Sequence, residues 1–423
     1  MAKSKQIGNS LSASAGETPV SDPVPPGLER SLPRVLGTFS LAAVMVGMII
    51  GSGIFRVPSS VAASVDSVGA VALIWILGGV IALFGSLVMA ELACLYPVAG
   101  GEYVFIREAF GPFPAFLYGW TRFLLLTPAS FGAMALILAA YLRPFLPLAD
   151  LGDQWIAMGV LLFITVLNVR SLVWGAWLEN TLTVVKVLFL VALGVLLFVL
   201  GGGADGALEG FGAGGGPGVG SGPGGLAGSE AAPGTGGGFS WFPASWTGFG
   251  LALVTVMWTY SGWSTTPALA GEVRNPDRTL PRALIGGIST VILVYLLLNG
   301  AFLYVLPMDQ MASSTMVAAD AAGSVVGSWG SRAVAVMAVV ALVGSIQASM
   351  MLIPRFFFAM ARDGLLPFPV AGVHARFLTP HGATILTGLL GMTYVMFRSF
   401  EELAQGFVLG TWPFSFLIIG SVF

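Results

Sequence analysis

Charge is what this chain has least of. Only 9% of its 423 residues are Asp, Glu, Lys or Arg, against roughly 25% in soluble domains, while 56% are hydrophobic, so a soluble globular domain is excluded. A net charge of −2 gives no footing for a nucleic-acid partner, and none is inferred. Cysteine is nearly missing too: Cys94 stands alone, so no internal disulfide can form, and at a span end it reads as a small core residue. The two histidines, His374 and His381, share one predicted loop without metal-ligand spacing, and no metal site or cofactor is expected. No nucleophile, base or metal cluster recurs inside the apolar segments, which argues against a membrane-embedded enzyme. The first 31 residues lack the apolar core of a cleaved signal peptide.

What is present is a series of long apolar runs. An apolar run of about 17 to 25 residues suffices to cross the hydrocarbon as a helix, and ten candidates can be read from the chain. They lie at about Leu36–Val57, Ala70–Leu92, Pro112–Tyr141, Gln154–Asn168, Leu178–Leu200, Phe249–Ala270, Ala283–Leu306, Ala333–Met360, Ala383–Phe397 and Leu403–Phe423. With the N-terminus in the cytoplasm, twelve lysines and arginines fall on inside segments and four on outside ones, which is the bias of the positive-inside rule. Arg122 and Lys186 lie within spans. The plasma membrane is the expected location, and the Gly, Ala and Arg bias suits a bacterial inner membrane. The expected organisation is a disordered cytoplasmic tail over 1–34, a first repeat of spans one to five over 35–200, a glycine-rich outside loop over 201–240 and a second repeat over 241–423. Span ten ends without a polar tail, so the chain is expected to be truncated there.

Two of these runs are interrupted. Gly51-Ser52-Gly53 sits inside span one, although glycine costs roughly 1 kcal/mol relative to alanine in a helix interior. Span six carries Ser261-Gly262-Trp263 and then Pro267. An opened backbone in lipid is tolerable only where it is buried in protein or lines a wet cavity. Breaks at matching positions in two halves point to an inverted repeat of five plus five spans with the substrate held between them. The amides freed at the first break, at the positive end of the following half-helix, suit a carboxylate. Carbonyls freed between Trp258 and Gly262 suit an ammonium group.

Four stretches resemble the amino acid-polyamine-organocation permeases, and among them the L-type amino acid transporter branch. They are Gly51-Ser52-Gly53-Ile54-Phe55; Ala90-Glu91-Leu92 with Tyr96-Pro97-Val98-Ala99-Gly100-Gly101-Glu102-Tyr103; Tyr260-Ser261-Gly262-Trp263 with Glu272-Val273-Arg274-Asn275-Pro276 and Leu280-Pro281-Arg282-Ala283; and Arg355 with Ala359 through Pro367 and Thr379-Pro380-His381. One departure stands at Ser264, where the L-type pattern often has asparagine. The resemblance implies an all-α polytopic membrane protein with a LeuT-like five-plus-five inverted-repeat core and broken spans one and six. It implies substrate contacts from Gly51, Ser52, Gly53 and Ile54 and from Trp258, Thr259, Tyr260, Ser261 and Gly262, with Trp258 as a gate.

Lys186 is the sharpest single residue. A lysine in mid-span costs at least roughly 2.5 to 3.5 kcal/mol on insertion scales, so it needs a partner or a purpose. By resemblance it matches the span-five lysine of sodium-independent members, whose ammonium replaces the ion behind the span-one break. If it also releases its proton during the cycle, it couples transport to protons. Ser345 and Ser349 are candidates to face that break, with Gln347 as a further polar group. The expected function is alternating-access transport of small neutral L-amino acids without sodium, as an exchanger or a proton-coupled symporter, because no intramembrane carboxylate flanks the breaks. Polyamines or cationic amino acids are the alternative substrates, and a channel is disfavoured by the broken helices. The sequence names no accessory subunit.

Overall fold

The computed structural model describes residues 32–65, 67–143, 152–201, 240–243, 245–397, 414 and 417–421. The tail before residue 32, most of the glycine-rich loop and most of span ten lie outside the described residues. Among the described residues the architecture is helical, and the one β-contact is an isolated parallel bridge between Leu36 and Val273.

The sequence explains where the helices begin. Span two runs over Val68–Leu95 and span five over Leu172–Leu200, and each starts on a serine whose hydroxyl accepts from an amide three residues on: Ser67 from Ala70 and Ser171 from Trp174. Ser245 caps the first part of span six, Trp246–Thr259, in the same way. Such caps satisfy amides that have no intrahelical partner. Span three starts at Pro112 and span seven, Pro276–Val305, at Pro276, where the missing amide hydrogen costs nothing. Span four is Asp153–Arg170, span eight Ser328–Arg362 and span nine His381–Phe397. Span four therefore exceeds its apolar run by one residue at the start and two at the end, through Asp153 and Arg170, and span five begins six residues earlier than its run, at the Ser171 cap.

Six helices among the described residues are long and apolar enough to cross a bilayer. The two halves of span one, Thr38–Ile49 and Gly53–Ser64, together make another crossing, bent by 45° at the Ile50–Ser52 break. Span three contains a π-turn, Arg122–Leu126, between Pro112–Thr121 and Thr127–Leu142. Arg122, the first residue of this turn, is buried, and single π-turns of this kind are frequent at functional sites. Span eight is the inner post of the bundle, with 78% of its most apolar window buried, and it packs against spans one, three, five and nine. Span seven packs against spans one, two and five. The breaks in spans one and six therefore lie within a sheath of helices, where opened backbone has protein partners.

Candidate functional site

The span-one break is a short detour of the chain. Ile50 leaves the helical region at φ −78° and ψ 85°, its amide still donating to the Val46 carbonyl at 2.8 Å, and Gly51 N–H turns back to the Ile49 carbonyl at 2.9 Å. The carbonyls that lose helical partners here are collected by side chains from other spans. Lys186, only 1% exposed, donates from Nζ to the Gly47 carbonyl at 2.7 Å and to the Ile50 carbonyl at 3.2 Å. Ser345 Oγ reaches the same two carbonyls at 3.0 and 3.3 Å. The ammonium does not snorkel to an interface; it is embedded among the carbonyls that the break releases. On the other side of the break, Ser52, Gly53 and Ile54 begin the second half-helix, whose first amides have no intrahelical acceptor.

Span six unwinds directly opposite. After Thr259 the chain makes turns through Tyr260–Thr265 and resumes as a 3₁₀ segment, Thr266–Glu272. Gly262 takes φ +122°, a conformation that L side chains rarely adopt. A Cβ there would also lie 3.1 Å from Ile49 Cγ1 and 3.2 Å from Met48 Cγ, so the glycine is what lets this turn rest on span one. At the other contact a Cβ on Gly53 would lie 2.7 Å from Thr259 Cγ2. The two breaks therefore touch each other.

Tyr295 of span seven ties them together. Its hydroxyl lies 3.1 Å from the Ile49 carbonyl and 3.4 Å from the Thr259 carbonyl, within donating distance of both. The ring belongs to a buried aromatic cluster with Trp75 and Tyr260, whose centroids lie 5.6 and 5.1 Å from it. Tyr260 Oη in turn donates to the Trp75 carbonyl at 3.3 Å.

All nine residues expected to form the substrate site fall at these two breaks, with unequal roles. The Trp258 carbonyl is taken up within its own turn by the Ser261 amide at 3.1 Å and hydroxyl at 2.6 Å. The Thr259 carbonyl is shared with Tyr295, and the Trp258 indole remains 46% exposed. Of the serine candidates, Ser345 faces the break, whereas Ser349 donates back to the Ser345 carbonyl at 2.8 Å. Gln347 points elsewhere, pairing with Asn168 at 2.9 Å and with the Gly175 carbonyl at 3.3 Å. Tyr295 and Thr183 were not singled out by sequence reasoning. Tyr295 is one aromatic in an apolar run, whereas Thr183 stands three residues before Lys186, a helical spacing that offers a shared face.

The arginine-rich end is held by buried ion pairs. Arg355 of span eight makes a two-pronged contact with Glu272, through Nε at 2.6 Å and Nη2 at 2.9 Å, and Arg122 contacts Glu102 at 2.7 Å while lying 3.9 Å over the Phe356 ring. Tyr118 also donates to Glu102. The Val35 and Leu36 amides both donate to the Glu272 carbonyl at 2.9 Å, so the entry to span one is fastened to the end of span six. Nearby, Tyr103 donates to Asp363 at 2.7 Å. Burial, and next the hydrogen bond to Asp363, push the Tyr103 hydroxyl above its ordinary range, so it remains a donor through neutral pH. A cavity of about 550 Å³ opens on this end between Arg34, Ala99, Arg107, Phe358 and Arg362. None of its lining residues belongs to the two breaks.

A helical membrane bundle with two interrupted spans meeting at its centre is the architecture of a secondary transporter. The chain belongs to the amino acid permease family, whose model matches residues 36–423. It is 29% identical over 393 residues to the b(0,+)-type amino acid transporter 1 of Mus musculus, a match covering 91% of this chain and 74% of that protein. It is 26% identical over 380 residues to the serine/threonine exchanger SteT of Bacillus subtilis, covering 89% and 80%. The cystine/glutamate transporter of Homo sapiens is 29% identical over 406 residues, covering 94% and 75%. In fold the chain is similar to Mhp1, a nucleobase-cation-symport-1 family transporter, with a TM-score of 0.58 at 13% identity over 94% of this chain and 80% of that one. The family resemblance drawn from the four motif stretches is borne out, and the chain is a transporter rather than an enzyme.

Proposed function

We propose that this permease carries small neutral L-amino acids across the plasma membrane by alternating access and without sodium, as an exchanger or a proton-coupled symporter. The observation that carries the reading is the pair of facing breaks, with Lys186 seated on the carbonyls of one of them. The amides of Ser52, Gly53 and Ile54 receive the substrate carboxylate, and the span-six turn from Trp258 to Gly262 receives its ammonium. Lys186 supplies, as a tethered cation, the positive charge that would otherwise be needed to hold the opened carbonyls together. The carboxyl group of Glu179 beside the span-one break lies against Gly47 and Thr183, on the Lys186 side, so this reading leaves the substrate side chain no carboxylate of its own and favours a neutral group over a cationic one. The N-terminus is placed in the cytoplasm by the arginine bias, so the ion-paired end is the inner gate.

The direct test is uptake by purified protein in liposomes against a panel of labelled amino acids. Uptake is expected for neutral L-amino acids and is expected to be unchanged when choline replaces sodium. Strong sodium dependence would overturn the role given to Lys186, and preferential uptake of lysine, arginine or putrescine would overturn the neutral preference.

Trp258 enters this reading as the outer cover of the site, consistent with its half-exposed ring just before the turn. Trp258→Ala is expected to lower the maximal rate several-fold with a smaller change in binding, since the indole excludes water more than it grips substrate. Normal turnover in single-substrate liposome kinetics would remove it from the gate.

A further inference from the structure

A second ionisable group lies beside the span-one break. Glu179 is fully buried on span five, two helical turns before Lys186. Its Oε1 lies so close to Gly47 that a Cβ there would be 1.7 Å away, and the Gly47 carbonyl is the one holding the Lys186 ammonium. Carboxylate and ammonium thus meet on two sides of a single glycine.

The hydrogen bonds around Glu179 are one proton short. Thr183 Oγ1 lies 3.0 Å from the Ala43 carbonyl and 2.9 Å from Glu179 Oε1, both contacts of hydrogen-bond length. A hydroxyl has one proton, so with Glu179 ionised only one of the two contacts is a hydrogen bond. Glu179 Oε2 is buried and has no hydrogen-bond partner among the described residues. A bare, buried carboxylate oxygen is expensive. A proton on Oε1 removes the first defect and eases the second: the carboxyl donates to Thr183, Thr183 donates to Ala43, and Oε2 becomes a neutral carbonyl oxygen instead of half of a buried charge.

Other charges on the packed spans lie toward their ends: Asp277, Arg278 and Arg282 in the first two turns of span seven, and Arg332 and Arg362 near the two ends of span eight. The half-helix Thr38–Ile49 carries no ionisable side chain. On span seven, Tyr295 is engaged with the break carbonyls, and on span eight Arg355 is engaged with Glu272. Asp153 and Arg170 lie at the two ends of span four. The charge that acts on Glu179 is that of Lys186.

We propose that Glu179 is a proton-binding site of this transporter, and that its protonation leaves Lys186 free to hold the Gly47 and Ile50 carbonyls. When Glu179 loses its proton, the new carboxylate competes with those carbonyls for the ammonium, and the amide pocket across the break loosens. The step balances: one proton leaves the carboxyl for solvent, and Lys186 keeps its own. Substrate affinity is therefore greatest at low pH and falls as pH rises. The proposal rests on the span-one break being the substrate site.

The test is an infrared pH titration of the purified full-length protein against Glu179→Gln, whose amide imitates the protonated carboxyl. Between about pH 6.5 and 9 exposed carboxyl groups are already ionised, so the wild type is expected to show one protonated-carboxyl band that fades with rising pH and is lost in Glu179→Gln. A wild type without such a band, or a band that persists in the variant, overturns the assignment. Liposome uptake of the neutral amino acid selected by the panel supplies the second arm. It is expected to decline with rising pH in the wild type and to be flat in Glu179→Gln, and equal pH profiles would overturn the coupling. If no amino acid is taken up, the substrate reading fails, while the infrared arm still decides Glu179.

Discussion

Replacing Lys186 with methionine is expected to weaken substrate binding at least about tenfold and to stop measurable transport, in a protein that still inserts and elutes as a single species. The expectation follows from what the ammonium holds. It donates to the Gly47 and Ile50 carbonyls at 2.7 and 3.2 Å, and Ser345 has one hydroxyl proton to divide between the same two acceptors. Hydrogen bonds from a charged donor are worth roughly 1.5–3 kcal/mol each, and a loss of about 1.4 kcal/mol is tenfold in affinity. Methionine keeps most of the side-chain length and apolar contact, so the loss reports the charge. Arginine is not expected to rescue, because a planar fork does not replace a compact ammonium between two carbonyls. Binding by scintillation proximity or calorimetry is the check, and wild-type affinity in Lys186→Met would show that the break needs no cation.

Gly53→Leu is expected to abolish substrate binding without preventing insertion. Glycine to leucine improves helix propensity by roughly 0.8–1 kcal/mol, so the second half-helix itself is not weakened. The obstacle lies across the interface. A Cβ at this position would lie 2.7 Å from Thr259 Cγ2 and 3.1 Å from Thr259 Oγ1, and leucine adds three carbons beyond it. Overpacking of this kind typically costs about 1–3 kcal/mol, and here the strain is relieved by pushing apart the two turns whose peptide groups form the proposed site. Gly53→Ala is expected to be intermediate, with affinity reduced several-fold. Comparing the pair in a binding assay separates a steric effect from a general folding defect, and full affinity in Gly53→Leu would remove the break from the substrate pathway.

The elements legible in the sequence were those where a residue type conflicts with its surroundings. Glycines in an apolar run mark where a helix opens, and a lysine in such a run demands a partner, so the first break and Lys186 could be named without coordinates. Their partners could not. Gly47 and Ile50 are lipophilic residues whose importance lies in their carbonyls, and side-chain chemistry does not announce a carbonyl. Arg122 had no specific role because its partner Glu102 lies 20 residues away at the start of a separate helix, and the π-turn that begins at Arg122 leaves no periodic signal. Ser345 and Ser349 share a spacing that puts them on one helical face, yet only one hydroxyl turns toward the break while the other folds back on its own helix. Trp258 was legible as a large aromatic at the turn, whereas Tyr295, which joins the two breaks, resembled any other aromatic of span seven.

Tyr295 offers a single hydroxyl proton to two peptide oxygens on different spans. It can be bound to only one at any moment, and the shorter distance favours Ile49. Separation of the two spans therefore forfeits at most the weaker of two alternatives, about 1 kcal/mol or less for an ordinary hydrogen bond. In the alternating-access cycle proposed above, a fastening so light would be undone and remade in every turnover by ambient heat, each span finding the same phenol when it returns.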